Sequence, residues 1–463
     1  VAERTREPLD RRWLLALLVL GVLTRVAWVL WVHPPEAHVR SDMGAYVGQA
    51  QDIARMGEVA ARRLPGFRPF GTGWVLGAVL WLVGAENLRA AGVVQAVIAG
   101  LAPVLTALLG ARVLPRPRLG LVAGAAVLLW FPGLSLTGYF LSEPWYTTLL
   151  LGSTLLLVRA LQRERGALLG GLLAAIAFWV RPEVAALYGL AALAVAAGWR
   201  TLGARAPLRA AAFALPLLAG IGVGVVRHHE VTGRWGAVAD SGALNLAMGR
   251  CHLIRLEAYG TPAKKRIADN GGKKQGWWID LPGFRQLRAR RGPEHVLGFK
   301  PSLGDWRISY VGRVDDPVAL STIRDRCLAA DSPLEQARKS VVNAHLLWAM
   351  ITPWPETDQE QGALRSLASA HLWAAIALWL LALPAGARWL RGARRHPARA
   401  AVAVGALSIV VLAAVVFGTP RLRTPYDPLA ILLAVGTVAG GLRRQSSESP
   451  AAAAAAETST TQS

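Results

Sequence analysis

Residues 12–43 read RWLLALLVLGVLTRVAWVLWVHPPEAHVRSDM. From Trp13 to Val32 the run is interrupted by one charge, Arg25, and at 1.5 Å per residue it is long enough to cross ~30 Å of hydrocarbon. Pairing or snorkelling is the expected state of Arg25. The chain then turns polar, and Asp42 emerges where a membrane surface would lie. An amphipathic segment carrying Tyr46, Ala50, Ile53 and Ala54 follows. A carboxylate so placed suits chemistry on a lipid-borne substrate.

Working outward, the chain has 463 residues, 53% of them hydrophobic. Further apolar runs that approach or exceed a membrane crossing fall at 90–111, 119–138, 145–158, 166–180, 183–199, 208–226, 366–386, 400–418 and 426–442. With 13–32 they predict an all-α polytopic membrane protein of about ten transmembrane helices. The run 74–83 is too short to span and is expected to lie along the interface.

A formal charge of +22 invites a nucleic-acid reading, but its distribution argues otherwise. Arginines gather at alternate membrane ends: Arg4, Arg6, Arg11 and Arg12; Arg112, Arg116 and Arg118; Arg159, Arg163 and Arg165; Arg200, Arg205 and Arg209; Arg388 to Arg399; and Arg443 with Arg444. This is the positive-inside pattern. It predicts a multi-pass protein of the inner, cytoplasmic membrane with both termini cytoplasmic, and it excludes nucleic acid as a partner. The stretch 33–70 carries five arginines on the outer side and is the exception. The first helix lacks a small-residue cleavage site and is expected to remain as an anchor.

Three parts emerge, with a tail. Residues 1–226 form an N-terminal membrane module that includes a first external loop, 33–89. Residues 227–364 form a polar external (periplasmic) segment of mixed structure with helical stretches at 316–330 and 333–350. Residues 365–444 supply three more crossings, and 445–463 is Ser/Thr/Ala-rich and expected to be disordered. Cys251 and Cys327 both fall in the external segment, where a disulfide is permitted; two independent thiols are the alternative. On this topology Asp42, Glu143, Arg181, Glu183, Arg421, Arg423 and Asp427 all lie at external membrane ends. Ionisable groups at membrane depth are costly and tend to be functional. The plainer alternatives are that Glu143 and Arg181 pair with each other and that Asp427 favours a helix N-terminus.

The ordered motifs Asp42…Tyr46, Arg68-Pro69-Phe70-Gly71-Thr72-Gly73, Leu141-Ser142-Glu143-Pro144, Trp179-Val180-Arg181-Pro182-Glu183 and Gly418-Thr419-Pro420-Arg421-Leu422-Arg423-Thr424-Pro425 resemble the GT-C membrane glycosyltransferases. The group includes protein O-mannosyltransferases and the lipid A aminoarabinose transferase. Ser241 to Gly249 resembles a stretch such enzymes carry after the seventh helix. The resemblance implies a polyprenyl-phosphate-linked sugar donor and inverting transfer of a hexosyl or pentosyl group, in glycosylation of a lipid, glycan or protein acceptor of the cell envelope. It makes Asp42 the general base, Arg421, Arg423 and Arg181 the donor-phosphate ligands, and Tyr46, Glu143, Glu183 and Asn245 substrate-binding or supporting residues. A divalent cation, Mg or Mn, on Asp42 stays open: many relatives have a second acid in this loop or a His-Pro-Pro step, whereas this chain has Ser41 before Asp42 and Arg68-Pro69-Phe70-Gly71 later.

Other signals are weaker. Cys251-His252 lacks the partner spacing of a zinc site, and no Walker or dinucleotide fingerprint exists. Trp277-Trp278 is compatible with sugar stacking or with interfacial anchoring. A transporter or flippase for a lipid-linked saccharide, and a non-catalytic envelope assembly protein, are the competing readings. The absence of internal repeats weighs against the transporter.

Overall fold

The computed structural model describes residues 9–39, 41–60, 66–198, 200, 202–236, 238–251, 254–256, 298–299, 308–310, 317–348, 363–416 and 418–441. Trp277 and Trp278, His252 and the tail lie outside the described residues.

The protein is a helical membrane protein, and its helices begin and end where the sequence supplies a reason. The first, α1 (Arg11–Ala27), is capped by Asp10, whose side chain accepts from the backbone N of Arg12 at 2.9 Å, and it continues through a π turn at Trp28–Val32. Then come α2 (Ser41–Met56), α3 (Phe70–Val83), α4 (Leu88–Ala99) and α5 (Ala102–Val113). The run expected to cross at 119–138 is divided into α6 (Arg118–Leu128) and α7 (Phe131–Leu136). The division has a local cause: Pro132, lacking an N–H, opens α7 in its first turn, and Trp130 before it is extended. Next are α8 (Ser142–Leu161), α9 (Ala167–Val180), α10 (Val184–Ala197), α11 (Ala206–Thr232) and α12 (Ser241–Cys251). After three short strand pieces, Ile254–Leu256, Gly298–Phe299 and Ile308–Tyr310, come α13 (Pro317–Ala330) and α14 (Pro333–His345), the latter opened by a Ser332/Glu335 capping box. The chain ends with α15 (Ala363–Arg391), α16 (Pro397–Val415), α17 (Pro420–Arg423) and α18 (427–441).

Among the described residues, five segments are long and apolar enough to cross a membrane: Arg11–Val32, Leu88–Val113, Ala206–Thr232, Ala370–Arg391 and Pro397–Val415. The shorter apolar helices α3, α6, α9 and α10 lie beside them. The run 74–83, expected along the interface, is the greater part of α3, which packs against α2 and α9 with Leu76 and Leu80 fully buried.

Two close approaches position the site. A Cβ on Gly71 would collide with the Trp179 backbone, so the start of α3 lies directly on the end of α9, next to Arg181. A Cβ on Gly249 would run into the carbonyl oxygen of Val416, so α12 lies against the end of α16. Asn343 secures that crossing by donating to the Gly249 carbonyl at 2.8 Å and the Val416 carbonyl at 3.2 Å. Because a backbone carbonyl cannot rotate away as a side chain can, Gly249→Ala is expected to destabilise the protein by about 1–3 kcal/mol. Thermal unfolding in detergent reads this, and an unchanged midpoint would show that the crossing adapts.

Candidate active site

Charged residues from five separated motifs meet in one alternating chain. Asp42 lies in the first turn of α2. Its Oδ1 accepts from Arg68 at 2.9 Å and its Oδ2 from Arg421 at 3.0 Å. Arg421, on α17, also donates through Nε to Glu143 Oε1 at 2.5 Å. That same oxygen accepts from Arg181 at 2.6 Å, and Arg181 bonds in addition to Glu183 and, at 3.2 Å, to Ser142 Oγ. The order is Arg68–Asp42–Arg421–Glu143–Arg181–Glu183, three cations and three anions.

Burial is graded along it. Side-chain exposure is 31% for Asp42 and 28% for Arg421, but 0% for Glu143 and 8% for Arg181. The Asp42–Arg421 end is open to a ligand; the Glu143–Arg181 end is sealed scaffold. Tyr46 follows Asp42 by one turn and is buried with Met43, Leu136, Tyr139 and Leu141. Burial alone would push the Asp42 carboxyl up; Arg421 and then Arg68 outweigh it and hold the group down at about 2. Burial, followed by the Asp42 charge, raises the Tyr46 phenol.

Arg423 has different company. It is 2% exposed, donates to Asp427 Oδ1 at 3.1 Å and to the Leu347 carbonyl at 3.0 Å, and so faces the packing of the last helices. Asp427 accepts in addition from the indoles of Trp130 and Trp379, each at 2.8 Å. Asn245 is half-buried on α12, and among the described residues no hydrogen bond joins it to the charge chain. The N-terminus of α12 supports the first loop instead: the backbone N–H groups of Asp240 and Ser241 donate to the Gly66 and Phe67 carbonyls at 3.0 and 2.9 Å, just ahead of Arg68. Arg25 is buried within α1 and donates to its own helix, to the Gly21 carbonyl at 3.2 Å. Cys327 is buried and disulfide-bonded. The sequence has two cysteines, and the Cys251 side chain lies outside what is described.

Sequence reasoning quoted Arg68 within a motif but gave it no role, although it is one of the two guanidinium groups on Asp42. They are 26 positions apart, and nothing in the sequence between them announces the contact. A divalent cation finds a poor donor set here. Both Asp42 oxygens and Glu143 Oε1 already face guanidinium groups, and no group of three His, Cys, Asp or Glu side chains gathers among the described residues.

No known family pattern and no curated protein matches the chain. The solved structures to which it is similar are matched at low identity and with TM-scores below 0.5. The archaeal oligosaccharyltransferase AglB from Archaeoglobus fulgidus, in complex with an inhibitory peptide and a dolichol-phosphate, is 13% identical with a TM-score of 0.49, over 94% of this chain and 51% of that one. ArnT from Cupriavidus metallidurans bound to undecaprenyl phosphate is 14% identical with a TM-score of 0.40, over 93% of this chain and 78% of that one. The chain therefore spans about half the length of the oligosaccharyltransferase.

Proposed function

We propose that the protein is an integral-membrane inverting glycosyltransferase that takes a sugar from a polyprenyl-phosphate carrier and transfers it to an acceptor hydroxyl. The carrying observation is the charge chain itself, because its open end joins an acid to a cation that an arriving phosphate can claim. As built, the chain is charge-balanced. A donor phosphate therefore competes with Asp42 for Arg421, and Arg suits phosphate through its planar fork. As Arg421 turns to the phosphate, one Asp42 oxygen is released and its proton affinity rises. The base thus becomes competent when the donor is in place.

The step balances on these groups. The acceptor oxygen attacks the anomeric carbon from the face opposite the phosphate. As the new C–O bond forms, the bond to the carrier phosphate breaks, and its electron pair leaves on the phosphate oxygen. The acceptor proton passes to Asp42. Negative charge grows on the departing phosphate, and Arg421, held on its other side by buried Glu143, stabilises it in position. Arg181 acts through Glu143, and Arg423 holds α18 in place. No metal enters this sequence.

The test uses full-length protein with a panel of polyprenyl-phosphate monosaccharides and an envelope acceptor extract, reading release of polyprenyl phosphate. No release from any donor would remove the proposal; donor movement across the membrane without bond cleavage would favour a flippase instead. Arg421→Ala is expected to lower kcat/KM about 10²-fold, a loss typical for removal of one transition-state charge ligand. Unchanged kinetics would reduce Arg421 to a headgroup contact.

A further inference from the structure

A second feature lies at the opposite end of the bundle from Asp42. A cavity of about 230 Å³ is lined in part by Arg388, Trp389, His396, Arg399, Gly436 and Gly440. Arg399 is near the start of α16 and Gly440 near the end of α18, whereas Arg421 sits in the connection between the other ends of these helices. The 19 residues of α16 set the two places ~28 Å apart at 1.5 Å per residue. The cavity is thus separate from the charge chain.

Its electrostatics are one-signed. The sequence has no Asp or Glu between Glu86 and Glu143, none between Glu360 and Asp427, and none from 428 to 447. These stretches contain every segment that lines the cavity, and Asp427 is at the far end of α18. Glu164, in the turn after α8, is engaged by Arg112 of the adjoining α5 and by Arg159. Arg116, Arg118, Arg394 and Arg395, each within three residues of the lining Pro115, Gly392 or His396, are exposed.

The two lining arginines are aimed by backbone carbonyls. Arg388 donates to the Gly436 carbonyl at 3.2 Å, and Arg399 donates through Nε to the Val113 carbonyl at 2.7 Å. Among the described residues no carboxylate pairs with Arg388, and one bond to Gly436 leaves most of its five N–H donors for a ligand. Gly440 permits this placement, since a Cβ there would stand 2.7 Å from an Arg388 nitrogen. Trp389 is buried in the apolar wall.

The same helix identifies the ligand class. Leu381 lies seven residues before Arg388, two turns away on the same face, and is 50% exposed. Leu380 and Leu383 beside it are exposed as well. A free phosphate would use the guanidinium groups alone; an amphiphile would use both the basic pocket and the apolar face running from it. Basic pockets between membrane helices on the positively charged side take anionic headgroups. We propose that this cavity binds the phosphate of an anionic glycerophospholipid, whose acyl chains lie along Leu381 and its neighbours.

The experiment follows full-length protein in neutral detergent by native mass spectrometry and thermal shift. The probes are dioleoyl phosphatidylglycerol, dioleoyl phosphatidylcholine and inorganic phosphate. Phosphatidylglycerol is expected to bind and raise Tm, with phosphatidylcholine much weaker and inorganic phosphate without effect. Arg388→Gln with Arg399→Gln should weaken phosphatidylglycerol about 30-fold. Should the pair fail to fold, Arg388→Gln alone, at an exposed side chain, should weaken it about fivefold, and Arg388→Lys should retain binding. Asp42→Asn should bind phosphatidylglycerol as the unaltered protein does, which keeps this outcome distinct from that of the proposed transferase site. Equal affinity in the glutamine variants, or reproduction of the whole effect by inorganic phosphate, would overturn the proposal.

Discussion

Asp42→Asn is expected to lower turnover by about 10³–10⁴-fold, at the upper end of what a positioned general base contributes, while the protein still folds. Asparagine nearly preserves shape, and its carbonyl oxygen keeps one of the two arginine bonds while its NH2 faces the other guanidinium, but it cannot take a proton. The measurement is released polyprenyl phosphate per enzyme, with folding checked on the same sample. Turnover within threefold of the unaltered protein would remove Asp42 from the mechanism. The pH dependence supplies a second reading. Asp42 is held at about 2, below its ordinary 3.8, so its contribution to stability is fully present above about pH 4 and is lost as pH falls through 2. The Tm difference between the unaltered protein and Asp42→Asn should therefore be constant at neutral pH and shrink only below about pH 4. The rate should lose activity at a higher pH than this, since a bound donor draws Arg421 away and lets the carboxyl rise.

Glu143→Ala is expected to be the most damaging change to stability, by about 3–5 kcal/mol. Glu143 is fully buried and one of its oxygens serves two guanidinium groups, Arg421 at 2.5 Å and Arg181 at 2.6 Å. Without it, both cations remain under cover with less counter-charge, and desolvation of an uncompensated charge is the expensive outcome. Arg181 keeps Glu183, and Arg421 keeps Asp42, so collapse of the first turns of α8 and α17 is expected to precede global unfolding. Unfolding in detergent, followed by tryptophan fluorescence, measures it; a loss below about 1 kcal/mol would show that the pocket rehydrates.

The motifs were legible because their residue types are improbable at apolar boundaries. Asp42, Glu143, Arg181 and Arg421 each interrupt or border a hydrophobic run, and the cost of such placement marks them without reference to the fold. Their roles were less legible. Arg421 and Arg423 look equivalent in the sequence, two residues apart on either side of Leu422. Two residues on a helix differ by about 200° in direction, and the structure turns one to Asp42 and the other to Asp427 and Leu347. Arg68 meets Asp42 over a separation of 26 positions, beyond any helical or turn spacing that a sequence displays. Asn245 lies on α12, and among the described residues no hydrogen bond joins it to the charge chain. The run 119–138 had span-like composition, yet Pro132 ended it as a single helix, a local effect that hydropathy does not register.

What the sequence determined unaided is helical membrane character: each apolar window of about 20 residues satisfies its own backbone within one helix, so the outcome depends on neighbours in the chain. What the tertiary structure alone decided is the partner of each charge. Arg421 reaches Asp42 across 379 residues and Glu143 across 278. Such pairs depend on where packed helices deliver their ends, and glycines at Trp179 and Val416 set that delivery to within the width of a side chain.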